Sequence, residues 1–247
     1  MAADPDYIYN RGLVNEELPT AGTDEDWKGL RVNRRGEQMV QPLDPIALAR
    51  EGSYFVVTNP TPGTGLIGIA ASTAYDAAES FLHIRNTSTT KKVHLHYMHL
   101  KVTAAGTNGT TFGCTMVGDR GTTRYTSGGA TLTPVNPNMS SSATAADVVI
   151  KGGPLVTTAA SADARILGDY PLRTVIKVVG DSYLFTFGGA NPLSVAGVPL
   201  EGTTQTALQI QCPPVVLGEN DQFLFHEYAA SQTVGAAFTL SLGFWLR

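Results

Sequence analysis

Charge is what most of this chain lacks. Only 15% of its residues are Asp, Glu, Lys or Arg, and they are unevenly spread. Residues 1–52 hold ten acidic and six basic residues, whereas residues 53–247 hold eleven of each and are net neutral. Neither part contains a basic block. Phosphate binding wants a clustered Lys/Arg face, so nucleic acid is not expected as a partner. Long apolar runs are missing as well. No stretch approaches the ~20 residues of a bilayer span, and a membrane is not expected as a partner either. The first ten residues, MAADPDYIYN, are acidic and lack an apolar centre, so they do not read as a secretory signal. Cysteine is scarce. Cys114 and Cys212 lie far apart in sequence without metal-type spacing and read as buried thiols in strands.

What is present is β-prone sequence. Hydrophobic residues make up 43% of the chain, enough for a full core. Short apolar runs recur from residue 53 onward, separated by Gly, Pro, Asn and Thr. Strands are expected at 54–58, 80–86, 92–104, 147–151, 155–158, 173–179, 183–187, 206–211, 222–228 and 237–246. In the run 92–104, Val93, Leu95 and Tyr97 fall on one face by alternation. Asn108-Gly109 predicts a tight hairpin between that strand and the next. Along 237–246, Phe238, Leu240, Leu242 and Phe244 alternate, with Trp245 facing the other way. Residues 118–146 are polar and turn-rich and read as a long functional excursion. Helix signals are few: 70–79, 161–167, and one turn at 46–52 ending at Gly52. About ten strands at hairpin-like spacing predict an all-β fold, a sandwich or closed barrel.

Two parts follow from this. Residues 1–52 form an N-terminal arm, whose Tyr7, Tyr9 and Trp27 are scattered among prolines, glycines and the acidic run Asp24 to Asp26. Such a segment cannot bury a core of its own. Residues 53–247 form the β-domain. Within the arm, Trp27, Arg31, Arg34 and Arg35 are the candidate interface anchors, because Trp and Arg dominate interface hot spots.

Motifs for chemistry are thin. His94 and His96 stand two apart on a strand, so both point to one face and can chelate a metal. His226 is the candidate third ligand. Cupin enzymes use such a pair, but their pattern follows it with a Glu, and Tyr97 to Val102 hold no carboxylate. Gly63, Gly65 and Gly68 match a dinucleotide fingerprint as a string, yet Pro60 and Pro62 interrupt the turn and no ribose-binding acid follows. Gly180-Asp181-Ser182 resembles the serine block of GDS-type esterases. It lies between two β-runs, reads as a hairpin turn, and shows no base for the serine. No cofactor is expected, and the chain does not read as an enzyme.

Several strings resemble those of structural proteins of tailed bacteriophages. These are Arg35-Gly36-Glu37-Gln38 with MVQPL, then EGSYFVVTNPTPGTGL (51–66), TAAGTNGT (103–110) and TLTPVNPNM (131–139). The resemblance implies a jelly-roll-like antiparallel β-sandwich with an extended N-terminal arm, of the capsid decoration (cement) type. It further implies a homotrimer on the virion surface, made in the host cytoplasm, whose partner is the major capsid protein. A tail or fibre adhesin with a carbohydrate-binding surface on 118–146 is the alternative, and a cupin-type metal enzyme resting on His94 and His96 is the third.

Overall fold

In a computed structural model of the chain, residues 45–70, 73–107, 110–188, 198–199 and 205–247 are described. The candidate anchors Trp27, Arg31, Arg34 and Arg35 lie outside them, as does the rest of the arm before Pro45. One short helix, α1 (Pro45–Arg50), precedes the strands. Its end is set by Gly52, whose φ of 77° suits glycine and closes the turn. Leu48 on α1 is buried against the body.

Fourteen strands follow among the described residues. They are β1 (Tyr54–Thr58), β2 (Leu66–Ile67), β3 (Glu79–Asn86), β4 (Val93–Ala104), β5 (Thr110–Asp119), β6 (Tyr125–Thr131) and β7 (Val148–Thr157). Then come β8 (Arg165–Arg173), β9 (Ser182–Phe187), β10 (Val198–Pro199), β11 (Thr206–Cys212), β12 (Val216–Leu217), β13 (Gln222–Ala230) and β14 (Ala237–Leu246). The first sheet runs β1-β14-β4-β9-β11-β10, with β2 on β14 and β12 on β4. The second runs β6-β7-β3-β13-β5-β8. Pairing is antiparallel except between β9 and β11.

Eight of these strands make a jelly roll. In chain order β1, β3, β4, β5, β8, β9, β13 and β14 alternate between the sheets, apart from the step β5 to β8. The result is two four-stranded layers, β1-β14-β4-β9 and β3-β13-β5-β8, the double Greek key. Strands β6 and β7 extend the second layer; β10 and β11 extend the first. The core between them is aliphatic with a network of aromatic contacts through its middle. Phe238 of β14 meets Phe81 of β3 edge-on at 5.3 Å and stacks on Phe112 of β5 at 6.0 Å. Phe185 of β9 and Phe225 of β13 meet at 5.4 Å. Cys114 and Cys212 are buried free thiols in β5 and β11.

Several expectations are corrected. Asn108 and Gly109 lie outside the described residues, but β4 and β5 on either side of them belong to different sheets and do not pair as a hairpin. A turn dipeptide encodes a reversal, not the sheet to which the chain returns. Residues 161–167 are not helical, and Arg165 to Leu167 open β8 instead. The described residues of 70–79 are not helical either. The run 173–179 is mostly a loop, whose Lys177 is buried while Val175, Ile176 and Val179 are exposed. Its pattern is inverted because the Lys177 ammonium lies over the Phe112 ring, 4.2 Å from its centre, and donates to Gln232 Oε1 at 2.6 Å. The polar excursion is shorter than expected. β6 forms within it as the border of the second sheet, and Val135 bridges to Val56 of β1. The runs 147–151 and 155–158 are one strand, β7, whose register shifts opposite β3 around Gly152.

A candidate binding face on the first sheet

The two faces turned away from the core differ. On the second sheet, His83, Leu224 and His226 are buried beneath loops. The His226 ring packs edge-on against Tyr75, and its Nδ1 donates to the Glu79 carbonyl. Arg124, also buried, donates to the carbonyls of Ala77 and Thr158 and clamps two of these loops together. On the first sheet the residues of β4 that point outward stay half-exposed.

A β-bulge builds this face. Leu95 pairs with Phe244 but Tyr97 pairs with Gly243, so β4 spends one residue more than β14. The extra residue reverses the alternation. Leu95 and Met98 both point to the core, and His96 and Tyr97 both point out. Tyr97 therefore does not share a face with Val93 and Leu95, as plain alternation predicts. Gly243 makes room for it. A Cβ there would run into the Tyr97 ring and the Tyr54 hydroxyl.

The outward side chains form a connected track. The rings of His94 and Trp245 are stacked at 5.3 Å with planes 6° apart. Trp245 meets the His96 ring at 5.9 Å, and His96 Nδ1 lies 2.8 Å from the Tyr54 hydroxyl in a hydrogen bond. Tyr97 meets His96 edge-on at 5.6 Å, and its hydroxyl bonds to that of Ser241 at 3.3 Å. His99 Nε2 and the Ser182 hydroxyl bond at 2.7 Å. Beyond Tyr97 the track opens into a shallow groove of about 610 Å³, floored by β14, β4, β9 and β11.

Electrostatically the face is quiet. Burial lowers the pKa of His94, His96 and His99 below 6.5. Lys92 and Arg247 add to this at His94, and Lys101 at His99. All three imidazoles are thus neutral at pH 7.

The structure separates the histidines singled out as metal ligands. His94 and His96 stand on the first sheet, and His226 stands on the second. Among the described residues no group of three or more His, Cys, Asp or Glu could hold a metal ion. Ser182 is not the isolated hydroxyl that its motif suggested, because His99 supplies a partner. The described residues bring no carboxylate to His99 Nδ1, the group that orients the imidazole in a Ser-His-Asp set. Asp181 does close a turn, its NH donating to the Val178 carbonyl at 3.0 Å, but not a hairpin, because β8 and β9 lie in different sheets. It is fully buried, paired with Arg173, and accepts from the backbone NH of Val178 at 2.8 Å and of Thr206 at 2.7 Å.

No family model, curated protein or solved structure matches this chain.

Sequence reasoning missed Tyr54, Tyr97, His99, Ser182, Gln209 and Trp245 as neighbours. The partial signal was the broken alternation of β4, with histidines at 94, 96 and 99. Their union depends on the pairing of β4 with β14 and β9, which no local pattern encodes.

Proposed function

We propose that this chain is a non-enzymatic structural protein of a tailed-phage virion, a decoration protein that braces the shell by binding the major capsid protein. The observation that carries the reading is the border of the second sheet. β8 is the last strand there, and its outer edge pairs with no described strand. Ile166 on it is 68% exposed, and the loop that continues it exposes Val175, Ile176 and Val179. An open edge beside exposed apolar side chains is a surface that a neighbouring subunit covers. The net-neutral body and the charge-dense arm support the same division of labour. The body makes contacts between copies, and the arm, through Trp27, Arg31, Arg34 and Arg35, anchors to the shell.

Deleting residues 1–35 tests this. The truncated protein should keep its β-sheet circular dichroism and no longer bind capsids that lack the protein, which the full chain binds. Unchanged binding by the truncated form would remove the arm as the anchor. Binding of the full chain to bacterial cells and not to capsids would favour the adhesin reading.

A further inference from the structure

The groove lies on the half-exposed outer face of the first sheet. Its floor is a single cross-strand row. Ser241 of β14 pairs with His99 of β4, His99 with Leu184 of β9, and Leu184 with Gln209 of β11. Neighbouring strands are ~4.8 Å apart, so the row is roughly 14 Å long, about the length of three linked sugar rings. Hydrogen-bonding groups stand at both ends and in the middle: the Ser241 hydroxyl, the His99–Ser182 pair and the Gln209 amide. Tyr97 borders the row, its ring laid over Gly243.

We propose that this groove binds a neutral glycan chain. Three features select that chemistry. The lining is Tyr97, His99, Ser182, Gln209 and Ser241 with small or aliphatic residues between, and it holds no carboxylate, ammonium or guanidinium group. Lys101 stands two residues beyond His99 on β4 and outside the lining, so the floor itself offers a charged ligand no counter-ion, whereas an uncharged polyhydroxyl chain finds donors and acceptors at strand spacing. At the groove the half-exposed Tyr97 ring offers a flat apolar face for the C–H side of a sugar ring, with the Ser241 hydroxyl as a polar edge beside it. The volume suits a short oligosaccharide, and the mix of apolar wall and few polar groups is that of a ligand site. The sequence placed saccharide recognition on residues 118–146. The groove sits elsewhere, on four strands of the first sheet, where backbone pairing fixes the spacing of its polar groups. The proposal does not depend on the virion role, since either a shell protein or an adhesin can carry such a groove.

The test uses the full chain and a panel of soluble neutral hexasaccharides: maltohexaose, cellohexaose, laminarihexaose and mannohexaose. Polygalacturonic acid hexamers serve as the charged comparison. Binding is followed by tryptophan fluorescence and by saturation-transfer NMR up to about 1 mM sugar. At least one neutral member should bind, and Tyr97→Ala and Gln209→Ala should each weaken it about tenfold or more. Lys151→Ala on the second sheet should leave it unchanged. Gln209 is exposed, so its variant keeps the test valid if Tyr97→Ala fails to fold. Three results would overturn the proposal: no binding by any neutral member, binding of the acidic hexamer alone, or neutral binding untouched by both groove variants. Self-association abolished by Gln209→Arg, without sugar binding, would assign the face to a second copy of the chain and also overturn it.

Discussion

Two buried titratable neighbours on β13 respond to pH with opposite sign. Burial, aided by Arg124, lowers the His226 pKa from 6.5 to about 4. Its folded form resists protonation, so the stability it contributes is present above 6.5 and lost as pH falls toward 4. That loss is on the order of 3 kcal/mol. Burial raises Glu227 from 4.5 to about 7, against the opposing pull of Lys177 and the Ile69 NH. Its folded form resists ionisation, so stability present below 4.5 is lost as pH rises toward 7. In the native chain the two slopes oppose each other. His226→Gln should therefore leave a stability that falls from pH 4.5 to 7, and Glu227→Gln one that rises from pH 4 to 6.5. Urea unfolding across that range reads both slopes. Parallel slopes in the two variants would contradict the assignment. Gly243 sets a second residue-scale test. Gly243→Ala should displace Tyr97 and cost about 1–2 kcal/mol by overpacking. It should also break the Tyr54–His96 bond, visible as a changed His96 imidazole shift by NMR.

Elements were legible to different degrees. β1 and β14 appear at the residues expected of them, β1 from its short apolar run and β14 from the alternation of Phe238, Leu240, Leu242 and Phe244, all of which are buried. β8 was misread because its exposed border dilutes the apolar signal: Arg165, Ile166, Asp169 and Pro171 are exposed and Leu172 is buried. The loop after it was misread for a different reason. Its fold is dictated by buried polar groups, Lys177 at Gln232 and Asp181 at Arg173, and these partners lie in other elements. The binding face shows the same limit. Its histidines were visible in β4, but the bulge that brings out Tyr97, and the register that places Ser241 and Gln209 in one row with His99, are long-range facts. Asp181 tests the element scale. Its carboxylate ties the end of β8, the loop, β9 and the start of β11 together. Asp181→Asn should cost about 3 kcal/mol, since a single neutral amide oxygen replaces a buried carboxylate that accepts from Arg173 and from the Val178 and Thr206 NH groups. Ser182→Ala, one residue on and facing the groove, should cost under about 1 kcal/mol. Equal losses would mean that the buried pair does not organise this corner.

The whole molecule separates its surfaces by kind. Charge is densest in the first 52 residues, the lining of the groove on the first sheet is polar and uncharged, and exposed aliphatics border the second sheet. That separation makes the proposed assembly testable without a virion. A stable interface buries ~1,600 Å² in total, and two apolar side chains at its centre carry much of its affinity. Ile166 and Ile176 both lie on the β8 border and its continuing loop, and neither contributes to the core. The full chain should therefore scatter light as a symmetric oligomer, three copies on the proposed reading, well above the 26.1 kDa of one chain. The double variant Ile166→Lys/Ile176→Lys places two like charges at every copy of the contact. It should return a monomer whose melting temperature, once the loss of partner binding is allowed for, matches that of the dilute native chain. Tyr97→Ala, on the other sheet, should leave the oligomer intact. A native mass of one chain at all concentrations would sink the proposed assembly. An oligomer that survives the double lysine variant would move the contact away from β8, with the arm as the next segment to delete.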